Sequence, residues 1–279
     1  MVNSLEFKEK QFDGPYEVAQ IELENKGEFF KGLLYFPSET FHRPYPLVIY
    51  FHGFPQLFPL PEIVKAYKYI LDMGYAFCIF NFRGYRYSEG QISIDGQLSD
   101  AMKIIEFVKK LAQDNIFDLN HINILAHDFG SFISILLGAK VKGINKLLLL
   151  NPILNLKRLV YSDNFIEVLE YINRFLPGNI RGVEDTDKFI HFTKKELSKK
   201  KFNIRRAIKD LKVKEIKTIS GEKDKISPIK EIKNILKNSN INPQITVIPD
   251  MDHQCIDEDE EEQINKEIMN FFILNLNGY

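Results

Sequence analysis

Three side chains in this sequence, Asp128, Asp224 and His253, are of the types that hydrolytic chemistry combines, and they follow one another as carboxylate, carboxylate and imidazole. Asp128 lies in Ala126-His127-Asp128-Phe129-Gly130, between the apolar run 122–126 and a helix-like run 131–140. A strand, a tight turn and a helix in that order lift the apex side chain clear of a sheet, as in the G-x-S-x-G nucleophile elbow. Here the small flanking positions remain, and Asp stands where that motif has Ser. Asp224, in Ser220-Gly221-Glu222-Lys223-Asp224, follows an apolar strand at 216–220, and His253, in Met251-Asp252-His253, follows another at 244–248. From loops at strand ends, Asp224 can hold the imidazole in one tautomer while His253 turns its other nitrogen toward Asp128. Glu222 and Asp252 lie close by, but Asp224 is the better-placed acid. His52-Gly53-Phe54-Pro55 ends the strand 47–51, and its Gly lets the backbone approach a ligand closely. The Phe54 N–H beside the Phe129 N–H would then hold developing negative charge, each donor contributing roughly 3–4 kcal/mol. Taken singly, these are an Asp on a turn, a His near an acidic loop and a Gly at the end of a strand. Their common position at strand ends is what points to one site.

The residue at the apex selects the chemistry. A carboxylate attacks saturated carbon bearing a good leaving group and is left as an alkyl ester, which a His-activated water then hydrolyses. Toward an ordinary ester or amide it would form a mixed anhydride, a much poorer intermediate. An ester substrate would instead need Asp128 and His253 to act together on a water. His52 and His127 flank the two turns, and Tyr161 and Tyr171 lie in the segment that follows, so these four are further candidates to line the pocket. Phe54, Phe129 and the aromatic residues of that segment make the pocket apolar, which suits a small, largely apolar substrate.

Positioning such groups requires a sheet with loops gathered at one end. Residues 17–24 and 29–36 alternate apolar and polar around Asn25-Lys26-Gly27, the pattern of an antiparallel hairpin. The runs 47–51, 75–80, 122–126, 146–150, 216–220 and 244–248 are short and apolar, as strands buried on both faces of a parallel sheet are. Helical periodicity falls between them, at 61–72 (opened by Pro61), 100–111, 131–140, 228–237 and 258–276. The expected fold is α/β, a mostly parallel central sheet flanked by helices on both faces. Residues 1–151 and 214–279 would form the core. Residues 152–213, inserted after the sixth strand, hold helical pieces but no strand, and a stretch of that length suggests a functional lid over the carboxyl ends of the strands.

A formal net charge of -1 over 279 residues gives no reason to expect nucleic acid or an anionic membrane as partner. Cys78 and Cys255 are too few for a disulfide framework, and Cys78 sits in an apolar strand as a buried thiol would. The acidic run 257–262 suits a helix N-terminus, where it complements the macrodipole, and the basic run 194–201 suits a solvated helix face. No metal or cofactor motif is present. Residues 1–11 lack the apolar segment of a signal peptide, and no apolar run is long enough for a bilayer. The expectation is therefore a soluble cytoplasmic protein acting on a small molecule without a cofactor, of unspecified oligomeric state.

From about Glu17 onward the chain resembles the α/β-hydrolase superfamily. The His-Gly-Phe-Pro turn, Asn81-Phe82-Arg83-Gly84 after a strand, the elbow, Gly221-Glu222-Lys223-Asp224 and the late His253 carry the resemblance in register. Two branches share it. The His-Asp-x-Gly elbow is similar to epoxide hydrolases and dehalogenases, whose nucleophile is an Asp. The N-terminal hairpin, the modest lid and the stretch 80–90 resemble esterases and acyl-aminopeptidase-like hydrolases, which use Ser. The first branch implies an Asp128-His253-Asp224 triad and an alkyl-enzyme ester formed from an epoxide or a C–halogen bond. The second implies a relative whose Ser has become Asp, acting through a His-activated water or silent as a binding module. Haloalkane dehalogenases hold halide with a Trp beside the nucleophile; this chain has no Trp, and Phe129 stands there. Epoxide hydrolases protonate the opening ring with lid Tyr hydroxyls, the role the resemblance would give Tyr161 and Tyr171. Their turns of this type also imply a cis Phe54–Pro55 bond.

Overall fold

Each short apolar run becomes a strand because only the interior of a sheet buries it on both sides. The computed structural model describes residues 6–8, 16–254 and 257–273. Its strands are β1 (Glu6–Lys8), β2 (Glu17–Asn25), β3 (Glu28–Phe36), β4 (Tyr45–Phe51), β5 (Ala76–Phe80), β6 (Phe117–His127), β7 (Lys146–Leu150), β8 (Glu215–Gly221) and β9 (Gln244–Ile248). They form one nine-stranded sheet in the order β1-β2-β3-β5-β4-β6-β7-β8-β9. Pairing is antiparallel from β1 through β3 to β5 and parallel from β5 to β9. Because β1 precedes the hairpin, the helical segment after Asn151 follows the seventh strand and not the sixth.

Alternation along β4 shows how the two layers form. Leu47, Ile49 and Phe51 pack with the helices Ile94–Gln113 and Phe129–Lys140, while Val48 and Tyr50 pack with the helices Leu60–Ala66, Lys68–Asp72 and Glu258–Phe272. Each fully buried side chain of this kind contributes about 1.5–3 kcal/mol. The connection from β4 leads to β5 on one side, and the next returns to β6 on the other. The chain therefore reverses direction at the carboxyl ends of β4 and β6, where open α/β sheets leave a crevice.

Several helices differ from their sequence expectation. The helix expected at 61–72 divides at Tyr67, whose ring packs against Tyr50 and Phe77. The one expected at 100–111 begins earlier, at Ile94, because the Ser93 hydroxyl accepts from the Gly96 N–H and caps a full extra turn. Asp257 caps the last helix, and the acidic run fills its first turn. The helix expected to 276 reaches Phe272, and 274–276 lie outside the described residues, as does Cys255. Cys78 is fully buried, and burial pushes its thiol far up.

The segment 152–213 splits into two parts. The helices Leu156–Val160, Asp163–Phe175 and Thr186–Leu197 pack together beside the strand ends. The remainder, with Lys200–Phe202, Ile204–Ala207 and Ile208–Asp210, returns along the helix Phe129–Lys140 and buries Ile204, Ala207 and Ile208 there. No helix among the described residues is long and apolar enough to cross a membrane.

Candidate active site

β6 ends at His127 and the next helix begins at Phe129, so Asp128 alone turns the chain. It does so at φ 50° and ψ −121°, a conformation that costs a non-Gly residue of order 1–3 kcal/mol. Three backbone bonds hold it there. The Asp128 N–H donates to Leu150 O at 2.9 Å, and its carbonyl accepts from Ser131 N–H at 3.1 Å and Ile153 N–H at 3.2 Å. Gly130 is required, since a Cβ there would lie 2.3 Å from the Phe51 carbonyl oxygen.

The two carboxylate oxygens of Asp128 have different surroundings. Oδ2 accepts from the Phe54 N–H at 2.8 Å. Gly53 makes room for it, because a Cβ there would lie 2.5 Å away. Oδ1 is buried without a hydrogen-bond partner among the described residues and stands 3.7 Å from His253 Nε2. His253 Nδ1 lies 2.7 Å from Asp224 Oδ2, and the other oxygen of Asp224 accepts from the Ser227 N–H at 2.7 Å. The His253–Asp224 contact is thus a hydrogen bond, while the one to Asp128 is a looser ion-pair approach. Phe129 opens its helix, so its N–H has no intrahelical acceptor. The Phe54–Pro55 peptide is cis, as is Arg43–Pro44.

The loop carrying His253 is tied to the sheet at points the sequence reading passed over. Asn151 Nδ2 donates to the His253 carbonyl at 3.0 Å. Asn151 is buried and held at φ 41° just beyond β7. In the sequence its only signal is the Asn151-Pro152 pair that ends an apolar strand. Gly221 lets the loop close on β8, since a Cβ there would lie 2.2 Å from the Met251 carbonyl oxygen.

Burial lowers the affinity of His253 for a proton. The nearby charge of Asp128, and the charge and hydrogen bond of Asp224, outweigh it and raise the imidazole from 6.5 to about 9. At neutral pH the ring is therefore an imidazolium between two carboxylates.

Of the four candidate pocket residues, His52, Tyr161 and Tyr171 stand elsewhere than the sequence suggested, while His127 lies beside Asp128. His52 is buried against Phe82 and Tyr85. Its Nδ1–H donates to the Gly53 carbonyl at 2.9 Å, and Nε2 accepts from the Phe82 N–H at 3.3 Å. Burial, only partly opposed by the Gly53 carbonyl and Asp128, lowers it to about 4. His52 is a neutral brace for the turn, not a pocket wall. His127 adjoins Asp128 and is lowered by burial, against the influence of Asp128 and with that of His253. Tyr161 and Tyr171 are 59% and 54% exposed. Lys194 sits over the Tyr161 ring, and Tyr171 packs on Phe175, because the buried face of its helix is Phe165, Leu169 and Ile172. Neither phenol lines the cavity.

That cavity, about 30 Å³, is bounded by Phe54, Phe129, Ile94, Val160, Phe165 and Phe189 among others, and it would hold roughly two waters. Phe54 packs at 5.6 Å from Phe165 and 6.4 Å from Phe189, so the turn that holds Asp128 also meets the helical segment above it. Neither Phe165 nor Phe189 stood out in the sequence beyond helical periodicity.

Comparison with known proteins agrees with this architecture. The family model described as alpha/beta hydrolase fold matches residues 46–198. Lysophosphatidylserine lipase ABHD12 of Xenopus tropicalis is 26% identical over 145 residues, covering 50% of this chain and 35% of that protein. The same lipase from Danio rerio is 30% identical over 73 residues, 26% of this chain and 19% of its own. The chain thus spans about a third or less of the length of these relatives. Among solved structures, an acetyl xylan esterase from a Paenibacillus species superposes with TM-score 0.69 at 13% identity, over 96% of this chain and 87% of that one. An alpha-beta serine hydrolase homologue from Coxiella burnetii gives TM-score 0.58 at 13% identity, over 90% and 95%. At such identities the likeness is one of fold.

Proposed function

Because the chain belongs to the alpha/beta hydrolase fold family, we propose that it is a hydrolase with Asp128 as nucleophile, His253 as the base for water and Asp224 as its orienting acid. The helices between 156 and 197 act as its lid. One observation carries this reading: Asp128 holds one oxygen on the Phe54 N–H and leaves the other buried, unpaired and facing His253.

That division of labour fits a carboxylate that attacks and is then attacked. Oδ1 forms a bond to a saturated substrate carbon as the bond to the leaving group breaks, and the leaving group departs with the electron pair. Asp128 becomes a neutral alkyl ester whose carbonyl oxygen stays on the Phe54 N–H. Loss of its charge removes one of the two charges raising His253, so the imidazolium releases its proton to solvent, where it balances the departing X⁻ as HX. Neutral His253 then takes a proton from a water that adds to the Asp128 carboxyl carbon, and Phe54 and Phe129 N–H groups hold the oxyanion. Collapse breaks the bond to the alkoxide, which takes the proton from His253 and leaves as the alcohol, and the Asp128 carboxylic acid then passes its proton to His253, restoring the carboxylate and the imidazolium. The sum is R–X and water giving R–OH and HX. Since no phenol among the described residues lines the cavity, a leaving group that departs without a proton fits better than an epoxide. The apolar walls suit a small hydrophobic substrate.

The second reading is an ester hydrolase, the activity named for the lipase and esterase relatives. Against it, the Phe54 N–H that an ester's oxyanion would need is already taken by Asp128. Single turnover in heavy-oxygen water discriminates the two. Label in the peptide carrying Asp128 supports the alkyl-enzyme ester, whereas label in product alone refutes it in favour of direct attack by water. A turnover screen with haloalkanes, epoxides and short aryl esters, run also on Asp128→Ser, identifies the substrate class. Failure of wild type on all three would favour a silent binding module.

A further inference from the structure

Apart from the catalytic cavity the chain has a larger groove, about 500 Å³, whose lining shares no residue with it. The hairpin β2–β3 forms its floor through Ile21 and Leu33, Pro59-Leu60-Pro61 forms one wall, and Asn81, Arg86 and Tyr87 close its end. Two polar groups there have no partner among the described residues. The Asn81 side chain is 3% exposed and its Oδ1 accepts nothing. Arg86 Nε is buried and bonds to nothing, and among the described residues no carboxylate pairs with its guanidinium. Most buried polar atoms are satisfied, so two such groups lining one groove call for a ligand.

Arg86 is also held in place by its backbone. Its N–H donates to Asn179 O at 2.8 Å, its carbonyl accepts from Arg181 Nη1 at 2.8 Å, and its φ is 44°. Lys31 and Glu22, also in the lining, pair with each other at 3.3 Å. The groove's uncompensated charge is therefore the Arg86 cation. A guanidinium without a partner matches a carboxylate, an unfilled amide oxygen matches an N–H or O–H donor, and the remaining walls are apolar.

We propose that this groove is a binding site for a small organic carboxylate with a hydrogen-bond donor beside the charge and an apolar body, the chemistry of an N-acylated amino acid. The carboxylate pairs with Arg86, the amide N–H donates to Asn81 Oδ1, and the side chain lies between Leu60 and the Tyr87 ring. This site is independent of the reaction assigned to Asp128.

The test is calorimetric titration of the intact chain with N-acetyl-L-phenylalanine and with its uncharged amide. The acid should bind and the amide should bind at least about tenfold more weakly, as should the acid to Arg86→Gln. Asn81→Asp, which puts a negative charge into the groove against the carboxylate, should also abolish binding and serves if Arg86→Gln does not fold. Asp128→Asn should bind the acid as wild type does. Equal binding of acid and amide, no binding by wild type, unchanged affinity in the Arg86→Gln and Asn81→Asp variants, or loss of binding in Asp128→Asn would each overturn the proposal.

Discussion

Replacing Asp128 by Asn imitates the neutral ester that the proposed first step would create, and its effect on His253 follows from the structure. In the native protein two carboxylates, Asp128 and Asp224, raise this imidazole from 6.5 to about 9 against the opposing effect of burial. A group whose folded value is raised binds its proton more tightly in the native state, so its stabilisation is complete below 6.5 and is lost as pH climbs through about 9. The difference between those values corresponds to roughly 3 kcal/mol. Asp128→Asn keeps an acceptor for the Phe54 N–H but removes one of the two charges. The His253 midpoint should then fall well below 9, and the variant should lose less stability than the native protein over the same pH interval. Histidine ring resonances followed by NMR against pH give the midpoint, and urea unfolding at either end of the interval gives the stability. A midpoint near 9 in the variant would mean that Asp128 does not set the charge of His253, and the release of its proton after alkylation would have no basis.

Gly53→Ala should cut turnover by at least about a hundredfold while the chain stays folded, because the new Cβ would meet Asp128 Oδ2 at 2.5 Å and push it from the Phe54 N–H; normal turnover would show that this bond is dispensable. Glu196 is 1% exposed and accepts from the Ile94 N–H at 2.8 Å and the Asp95 N–H at 3.1 Å, tying the helix Thr186–Leu197 to the start of the helix Ile94–Gln113. Glu196→Ala should therefore cost about 1.5–3 kcal/mol in urea unfolding. Tyr161→Phe and Tyr171→Phe should each leave stability within about 0.5 kcal/mol and leave turnover unchanged, and a large drop in rate from either would restore a phenol to the mechanism.

Much of the architecture was legible because local signals sufficed for it. Apolar runs of five or so residues between helical stretches specify buried parallel strands, and the loops that end them carry chemistry, as with Gly53, Asp128, Asp224 and His253. Gly130 and Gly221 were visible as residues; the carbonyls that exclude a Cβ from them were not, because those come from β4 and from the loop after β9. The sequence alone determined that a carboxylate occupies the elbow and that an imidazole and a second carboxylate follow on later strands. Only the tertiary structure decided that the carboxylate takes the Phe54 N–H for itself, that Asn151 anchors the His253 loop, and that His52, Tyr161 and Tyr171 stand away from the cavity. Chain order records which groups sit at strand ends. Which way each side chain points depends on the neighbours packed against it from distant parts of the chain, and a pattern of residue types does not contain that packing.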